Sequence, residues 1–456
     1  MTSRLLITGG TVLAGAPMHG EFRRADLLAE AGRIVGIGTF PPVTDAEMVD
    51  ATGMLVLPGF VDAHAHLWEA SMRGITAEWD LLDFLYGIRF HHASLHTPDD
   101  VYAGALAGAL ASLDAGTTTV LDHMHLPAHA EPGLRAVRDA GIRAVWASAP
   151  AAVRAAAAGG LTTDAGGLVT LAVAADEIGN APWATTRAEY LFARERDLPL
   201  TAHLETIWGP VRAPEIEWLH RDGLLGPRQV FSHVNAASED ALRLLADHGA
   251  AVVSTPDTEL QMGIGHPVLG RAAALGVPAA LGSDIQANNG PDLFAAMRLA
   301  RQAENGRAQR AVLDADGTGG LAGVPMSTRE VLHAATLGGA RALGLDHLAG
   351  SLEPGKQADV VLLRVDGIRH RPLTDPFATV VLHAGPGDVD SVFVAGRAVK
   401  RAGVLDGARR ATGLVEAAWA RLAERMDAAG GRHPHRPADL IARVVAQAAA
   451  NAPAWA

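Results

Sequence analysis

Four short apolar runs in this chain each end on a histidine or an aspartate, and that pattern limits the fold more than any other feature. Residues 58–66 read Pro58-Gly59-Phe60-Val61-Asp62-Ala63-His64-Ala65-His66. The others close on His203, His233 and Asp284, the last within Gly282-Ser283-Asp284. A parallel strand buried on both faces reads as such a run. Alternate residues of a strand share a face, so the imidazoles of His64 and His66 can point at one ion. Polar groups from strands this far apart in sequence meet only in a closed or strongly twisted parallel sheet. In a (β/α)8 barrel the C-terminal strand ends are where such groups gather.

Eight strand candidates follow in order, near residues 55–66, 117–123, 142–148, 168–174, 198–205, 229–234, 250–255 and 278–284. Between most of them lie Ala/Leu/Arg/Glu-rich segments with helical periodicity, such as 98–115, 186–197 and 239–248. This alternation predicts an α/β fold, a (β/α)8 TIM barrel over residues 58–349. The flanks read differently. Short β-like pieces broken by Gly turns occupy both ends, and neither end has enough strands for a stable sheet alone. They are expected to join as a small composite antiparallel β-sandwich domain from 1–57 and 350–406. An Ala-rich C-terminal helical extension, 407–456, should carry two helices split by Gly430-Gly431-Arg432-His433-Pro434-His435, a solvated turn.

The formal charge is −12 and no basic run is present, which argues against nucleic acid as a partner. No apolar run approaches about 18 residues and no signal-peptide core is visible, so neither membrane insertion nor export is expected, and the location should be cytoplasmic. There is no cysteine, which removes thiol nucleophiles and cysteine-based zinc sites. The two lysines, Lys356 and Lys400, lie in the β-like flank. No barrel strand end therefore offers a Schiff-base amine or a carbamylated bridge between two metals. A single ion is expected.

Several motifs, taken together, resemble the amidohydrolase superfamily, in its branch of triazine hydrolases, S-adenosylhomocysteine-type deaminases and cytosine/guanine deaminases. They are residues 58–66, Gly116-Thr117-Thr118-Thr119-Val120, His203, His233, Gly282-Ser283-Asp284 with Asn288-Asn289, and Gly350-Ser351-Leu352-Glu353-Pro354-Gly355-Lys356-Gln357-Ala358-Asp359. The likeness runs from Leu5 to about Gly403. It implies that His64, His66, His203 and Asp284 bind one divalent ion, zinc or else iron, and that His233 hydrogen-bonds the attacking water or the substrate. Three imidazoles and a carboxylate suit a catalytic zinc site with a position left for water. Asp284 can take the water's proton, and a second acid must then protonate the leaving nitrogen. The resemblance also implies a homodimer or larger homo-oligomer.

The chain departs from that branch after His203. Deaminases of the branch place a glutamate three residues beyond this histidine. Here the order is His203-Leu204-Glu205-Thr206, with the glutamate at the second position. If the strand continues, Glu205 shares the histidine's face and can act as proton shuttle; otherwise it pairs at the barrel rim. His125, just past the second strand, is another candidate for proton transfer. His123, Glu259 and His266 are candidate substrate contacts, and Trp68 and Trp208 candidate walls of an apolar pocket. The expected function is metal-dependent hydrolysis of a carbon–nitrogen or carbon–chlorine bond in a small, cyclic, nitrogen-containing compound, by a deaminase or cyclic amidase. The alternatives are a metal-dependent lyase, cyclase or isomerase, and a non-catalytic protein on the same fold.

Overall fold

A computed structural model describes residues 4–41, 43–160, 167–205, 214–317, 319–321 and 323–455. The chain opens with strands β1 (Arg4–Ala14), β2 (Glu21–Glu30), β3 (Arg33–Gly38), β4 (Ala46–Asp50) and β5 (Met54–Pro58). The barrel follows as β6 (Phe60–His66), β7 (Thr117–His123), β8 (Arg143–Ser148), β9 (Val169–Ala174), β10 (Leu200–Leu204), β11 (Gln229–His233), β12 (Ala251–Ser254), β13 (Ala279–Leu281) and β14 (Asp284–Ile285). Each of these pairs in parallel with its neighbour, in chain order, from β6 to β13. β14 then pairs with β6, so β13 and β14 are two halves of one eighth strand that closes the ring. Helices alternate with the strands, among them Pro98–Asp114, Ala130–Ala140, Trp183–Glu195 and Glu239–His248. This is the expected TIM barrel.

The break in the eighth strand has a steric cause. A side chain on Gly282 would bring its Cβ to 2.7 Å from the His64 carbonyl oxygen, so only glycine lets the two backbones approach. Asp62 then staples the turn to β6. Its Oδ1 accepts the Ser283 N–H (3.0 Å) and the His64 N–H (3.2 Å), and its Oδ2 accepts the Ser283 hydroxyl at 2.5 Å. Burial pushes the Asp62 carboxyl up to about 7, against these bonds. One aspartate thus sets the relative height of His64 and Asp284.

The second sheet joins β1–β5 to β15 (Val360–Arg364), β16 (Val389–Val394), β17 (Arg397–Arg401) and β18 (Val404–Leu405). It is mixed, which corrects the expectation of a purely antiparallel unit: β1 runs parallel to both β4 and β5. The hairpin of β2 and β3 supplies the crossover that a parallel pairing needs. β5 runs antiparallel to β15 and leads directly into β6, so the sheet hands the chain to the barrel at the metal-ligand strand. Arg143, at the start of β8, bonds both oxygens of Asp359 (2.9 and 3.1 Å) in a pair fully withdrawn from solvent.

Two helices close the chain. Ala408–Ala428 packs along Pro98–Asp114, with Arg421 and Arg425 both paired to the buried Asp100. Leu440–Asn451 reaches the loop after β9, where Gln447 donates to the Asn180 carbonyl (2.9 Å) and Asn451 to that of Gly179 (2.8 Å). The imidazoles of His433 and His435, in the turn between the helices, are exposed.

Candidate metal centre

The C-terminal ends of β6, β10 and the eighth strand bring four donors together. His64 Nε2 lies 3.2 Å from His203 Nε2 and 3.2 Å from Asp284 Oδ1, while His66 Nε2 lies 3.3 Å from that same carboxylate oxygen. Donors about 2.0–2.2 Å from a tetrahedral zinc ion sit about 3.3–3.6 Å apart, so each of these three contacts suits two donors on one divalent cation. His64, His66 and Asp284 form one compact trio, which His203 joins through His64. The ring chemistry agrees. His66 Nδ1 donates to the His123 carbonyl at 2.9 Å, which leaves Nε2 as a lone-pair donor facing the cluster.

The electrostatics keep the donors in their ligating forms. Burial opposes charge on Asp284, yet the His64 and His66 contacts and the nearby His233 hold its carboxyl well below the usual range. Burial likewise holds His64 neutral, and takes His203 down to about 4. His233 behaves oppositely. Burial lowers it, but Glu259 (3.7 Å from Nδ1) and the field of Asp284 (Oδ2, 3.9 Å from Nε2) together raise it above its ordinary value.

Backbone strain marks the same positions. Glu205, His233, Val234 and Asp284 adopt φ of +44°, +71°, +54° and +63°, which non-glycine residues rarely do. For Glu205 this corrects the strand-geometry expectation. β10 ends at Leu204, the two-residue period stops there, and Glu205 turns away from the histidine's face. Its Oε1 accepts the N–H of Ile216 in the first turn of helix Glu215–Arg221 (3.2 Å), and its own N–H donates to Glu215 (2.7 Å).

The cavity over the cluster is lined by His66, His125, His203, His233 and Asp284, by Arg89 and Glu177, and by Leu81, Phe84, Leu85, Ile264 and Ile285. His125 stacks on His66 at 3.9 Å between ring centroids and accepts Arg89 Nη1 at 2.9 Å. Burial, and then the Arg89 guanidinium, keep it well below its ordinary pKa, so it enters the site as a neutral acceptor.

Four of the other candidate contacts do not line the cavity. His123 is buried beneath the cluster, its ring 4.6 Å from that of His203, and is absent from the cavity lining. Glu259 turns inward to the Thr255 N–H and the Ser254 hydroxyl (both 2.8 Å) and stands behind His233. His266 is also absent from the lining; its carbonyl receives the Asn235 amide. Trp68 is fully buried, edge-on to His96, as core. Trp208 falls outside the described residues.

Sequence reasoning missed Arg89 and Glu177. The signal for Glu177 was present, because Ala175-Asp176-Glu177 closes the β9 run with acids just as His203 closes β10. Arg89 had no local signal; it reaches the cavity on the short helical segment Leu85–His91. Nothing local marked Glu69 either, a fully buried carboxylate 3.8 Å from His125 Nδ1.

A barrel with a His/Asp cluster at its C-terminal mouth defines a class, the metal-dependent hydrolases of carbon–nitrogen bonds other than peptide bonds. Within that class the chain belongs to the amidohydrolase family, whose model matches residues 55–399. It is similar to the 5-methylthioadenosine/S-adenosylhomocysteine deaminase of Symbiobacterium thermophilum, 30% identical over 428 residues that span 87% of this chain and 93% of the relative. The 5'-deoxyadenosine deaminase of Methanothermobacter thermautotrophicus is 29% identical over 88% of this chain and 94% of its own. Among solved structures, a zinc-bound adenosine deaminase from Xanthomonas campestris superposes with a TM-score of 0.80 at 25% identity, covering 92% of this chain and 98% of that one. A variant of the atrazine chlorohydrolase of Arthrobacter aurescens, complexed with zinc and atraton, has a TM-score of 0.80 at 23% identity, covering 91% of this chain and 100% of that one, a likeness of fold.

Proposed function

We propose that this protein hydrolytically deaminates an amino-substituted nitrogen heterocycle, with purine nucleosides the first class to assay, using one zinc ion held by His64, His66, His203 and Asp284. The observation that carries the reading is the chain of contacts at 3.2–3.3 Å from His203 through His64 and Asp284 to His66. The deaminases that match nearly nine-tenths of the chain support the substrate class. A single ion is favoured because a second trio, His66, His125 and His203, has the fixed Arg89 cation 2.9 Å from His125 Nε2.

When bound, a divalent ion supplies Lewis acidity and lowers the pKa of water from 15.7 toward about 7. The residues do the rest. Asp284, kept ionised, accepts a proton as water attacks the ring carbon bearing the amino group. His233 holds its proton toward the developing oxygen and is backed by Glu259. The carbon–oxygen bond forms, the carbon–nitrogen bond breaks, and the proton from Asp284 leaves with the amino group as ammonia. With Glu205 bonded to helix Glu215–Arg221, His233 is the hydrogen-bond donor best placed beside Asp284 to steady the developing oxygen. Leu81, Phe84, Leu85, Ile264 and Ile285 give the cavity an apolar side for the ring to pack against.

The test is a panel of amino-substituted heterocycles and purine nucleosides with zinc-loaded protein, following ammonia and product mass together. The expected result is stoichiometric ammonia and a product with oxygen in place of the amino group. Turnover of any of these compounds without ammonia, or none across the panel by fully loaded protein, would contradict the proposal.

A further inference from the structure

We infer that Glu177 is the positioning residue of His203: clamped by Arg89, it holds the imidazole proton on Nδ1 and so aims Nε2 at the ion. The inference rests on the metal-site reading above and extends it to two residues outside the ligand set.

His203 presents Nε2 to the cluster, 3.2 Å from His64 Nε2, and its opposite nitrogen lies 3.3 Å from Glu177 Oε1, within ion-pair reach but out of line for a full hydrogen bond. A ligating imidazole must be neutral, with its proton on the far nitrogen, and the partner of that nitrogen fixes both tautomer and ring plane. His66 has a backbone carbonyl in this role. His203 has a carboxylate, a stronger acceptor that also raises the basicity of the ligating nitrogen.

Glu177 is itself immobilised on both oxygens. Oε1 accepts Arg89 Nη1 at 2.9 Å, and Oε2 accepts the Asn180 amide at 3.0 Å. Both partners of the Arg89–Glu177 pair are largely buried, with 18% and 12% of their side chains exposed. Arg89 comes from the segment after β6 and Glu177 from the loop after β9, so three mouth elements meet at the His203 ring. The loop carrying Glu177 is braced from outside by Gln447 and Asn451 of the last helix. A rim ion pair with no role in the site would not need such bracing.

The test measures zinc affinity by chelator competition on the full-length protein, with no substrate present. Glu177→Gln keeps the shape and removes the acceptor charge. Its zinc affinity should fall about 10–100-fold, the range for loss of such an outer partner, and the visible spectrum of the cobalt-substituted protein should shift. Arg89→Met removes the clamp but leaves the carboxylate beside His203, so zinc affinity should fall by a smaller factor than in Glu177→Gln. Wild-type affinity and an unchanged cobalt spectrum in Glu177→Gln would overturn the inference. So would an equal loss in both variants, which would mean that the loops had merely collapsed. If Glu177→Gln does not fold, Arg89→Met decides alone: a partial loss of zinc affinity with a shifted cobalt spectrum supports the assignment, and wild-type affinity with an unchanged spectrum overturns it. A wild-type protein that binds no zinc would instead defeat the metal reading itself, so the two failures are distinguishable.

Discussion

Glu205 and His203 stand two residues apart, yet only the histidine reaches the cavity, because the strand that carries them ends at Leu204. With its carboxylate bonded to the first turn of helix Glu215–Arg221, Glu205 does not line the cavity, and no proton transfer there is assigned to it. Glu205→Gln should keep kcat within about tenfold of wild type, whereas His233→Gln should lose roughly 10²–10⁴-fold with zinc retained. Parallel turnover and metal assays check this, and the reverse ranking would return the proton to Glu205. The residues legible in the sequence were those whose neighbours made a strand with a definite end. His66, His203, His233 and Asp284 each close an apolar run, with His64 two residues inside the first, and the five fall into overlapping trios of donors. Glu205 was misread because a left-handed backbone residue at a strand end leaves no trace in a two-residue period. Glu259 looked like a loop residue facing substrate; only the fold reveals the Thr255 and Ser254 groups that turn it inward.

At the scale of elements, the segment between β6 and helix Pro98–Asp114 carries apolar cavity-lining residues on one side and the C-terminal extension on the other. His92 Nε2 bonds the Arg432 carbonyl at 3.0 Å, His96 Nδ1 bonds the His92 carbonyl at 2.9 Å, and Arg436 pairs with Asp80 at 2.5 Å. Burial, the largest cause in each case, pushes both His92 and His96 down to about 4 from an ordinary 6.5. The unfolded chain therefore takes up these protons near pH 6.5 and the folded chain only near pH 4. Stability is held above about 6.5 and lost progressively as pH falls toward 4. Urea midpoints at pH 7.5 and pH 5 check the sign. They should drop on acidification, and drop less in a His92→Gln/His96→Gln double variant; equal slopes in the two proteins would contradict the account. Helix spans were readable from periodicity, with 239–248 foreseen as it stands and 98–115 ending one residue earlier, at Asp114. The docking of the extension on that segment was not, because it depends on contacts such as Arg436 with Asp80 between residues more than 350 apart in sequence.

For the whole molecule, the two sheets act as one frame. β5 runs into β6, and the buried Arg143–Asp359 pair ties the second sheet to the start of β8, at the end of the barrel opposite the site. Function concentrates at the C-terminal mouth, where the strand ends, the Glu177 loop and the segment after β6 meet. The barrel was legible because eight apolar runs alternate with helical segments. The parallel pairing of β1 with β4 and β5 was not, because short strands broken by Gly turns do not encode their direction. The central claim is that one divalent ion sits among His64, His66, His203 and Asp284. Anomalous diffraction at the zinc edge from crystals of the zinc-loaded protein tests it most directly. The account predicts one peak per chain, with three imidazole nitrogens and one carboxylate oxygen about 2.0–2.2 Å away. Two peaks in the cavity, or a single peak that excludes Asp284 or any of the three histidines, would contradict it.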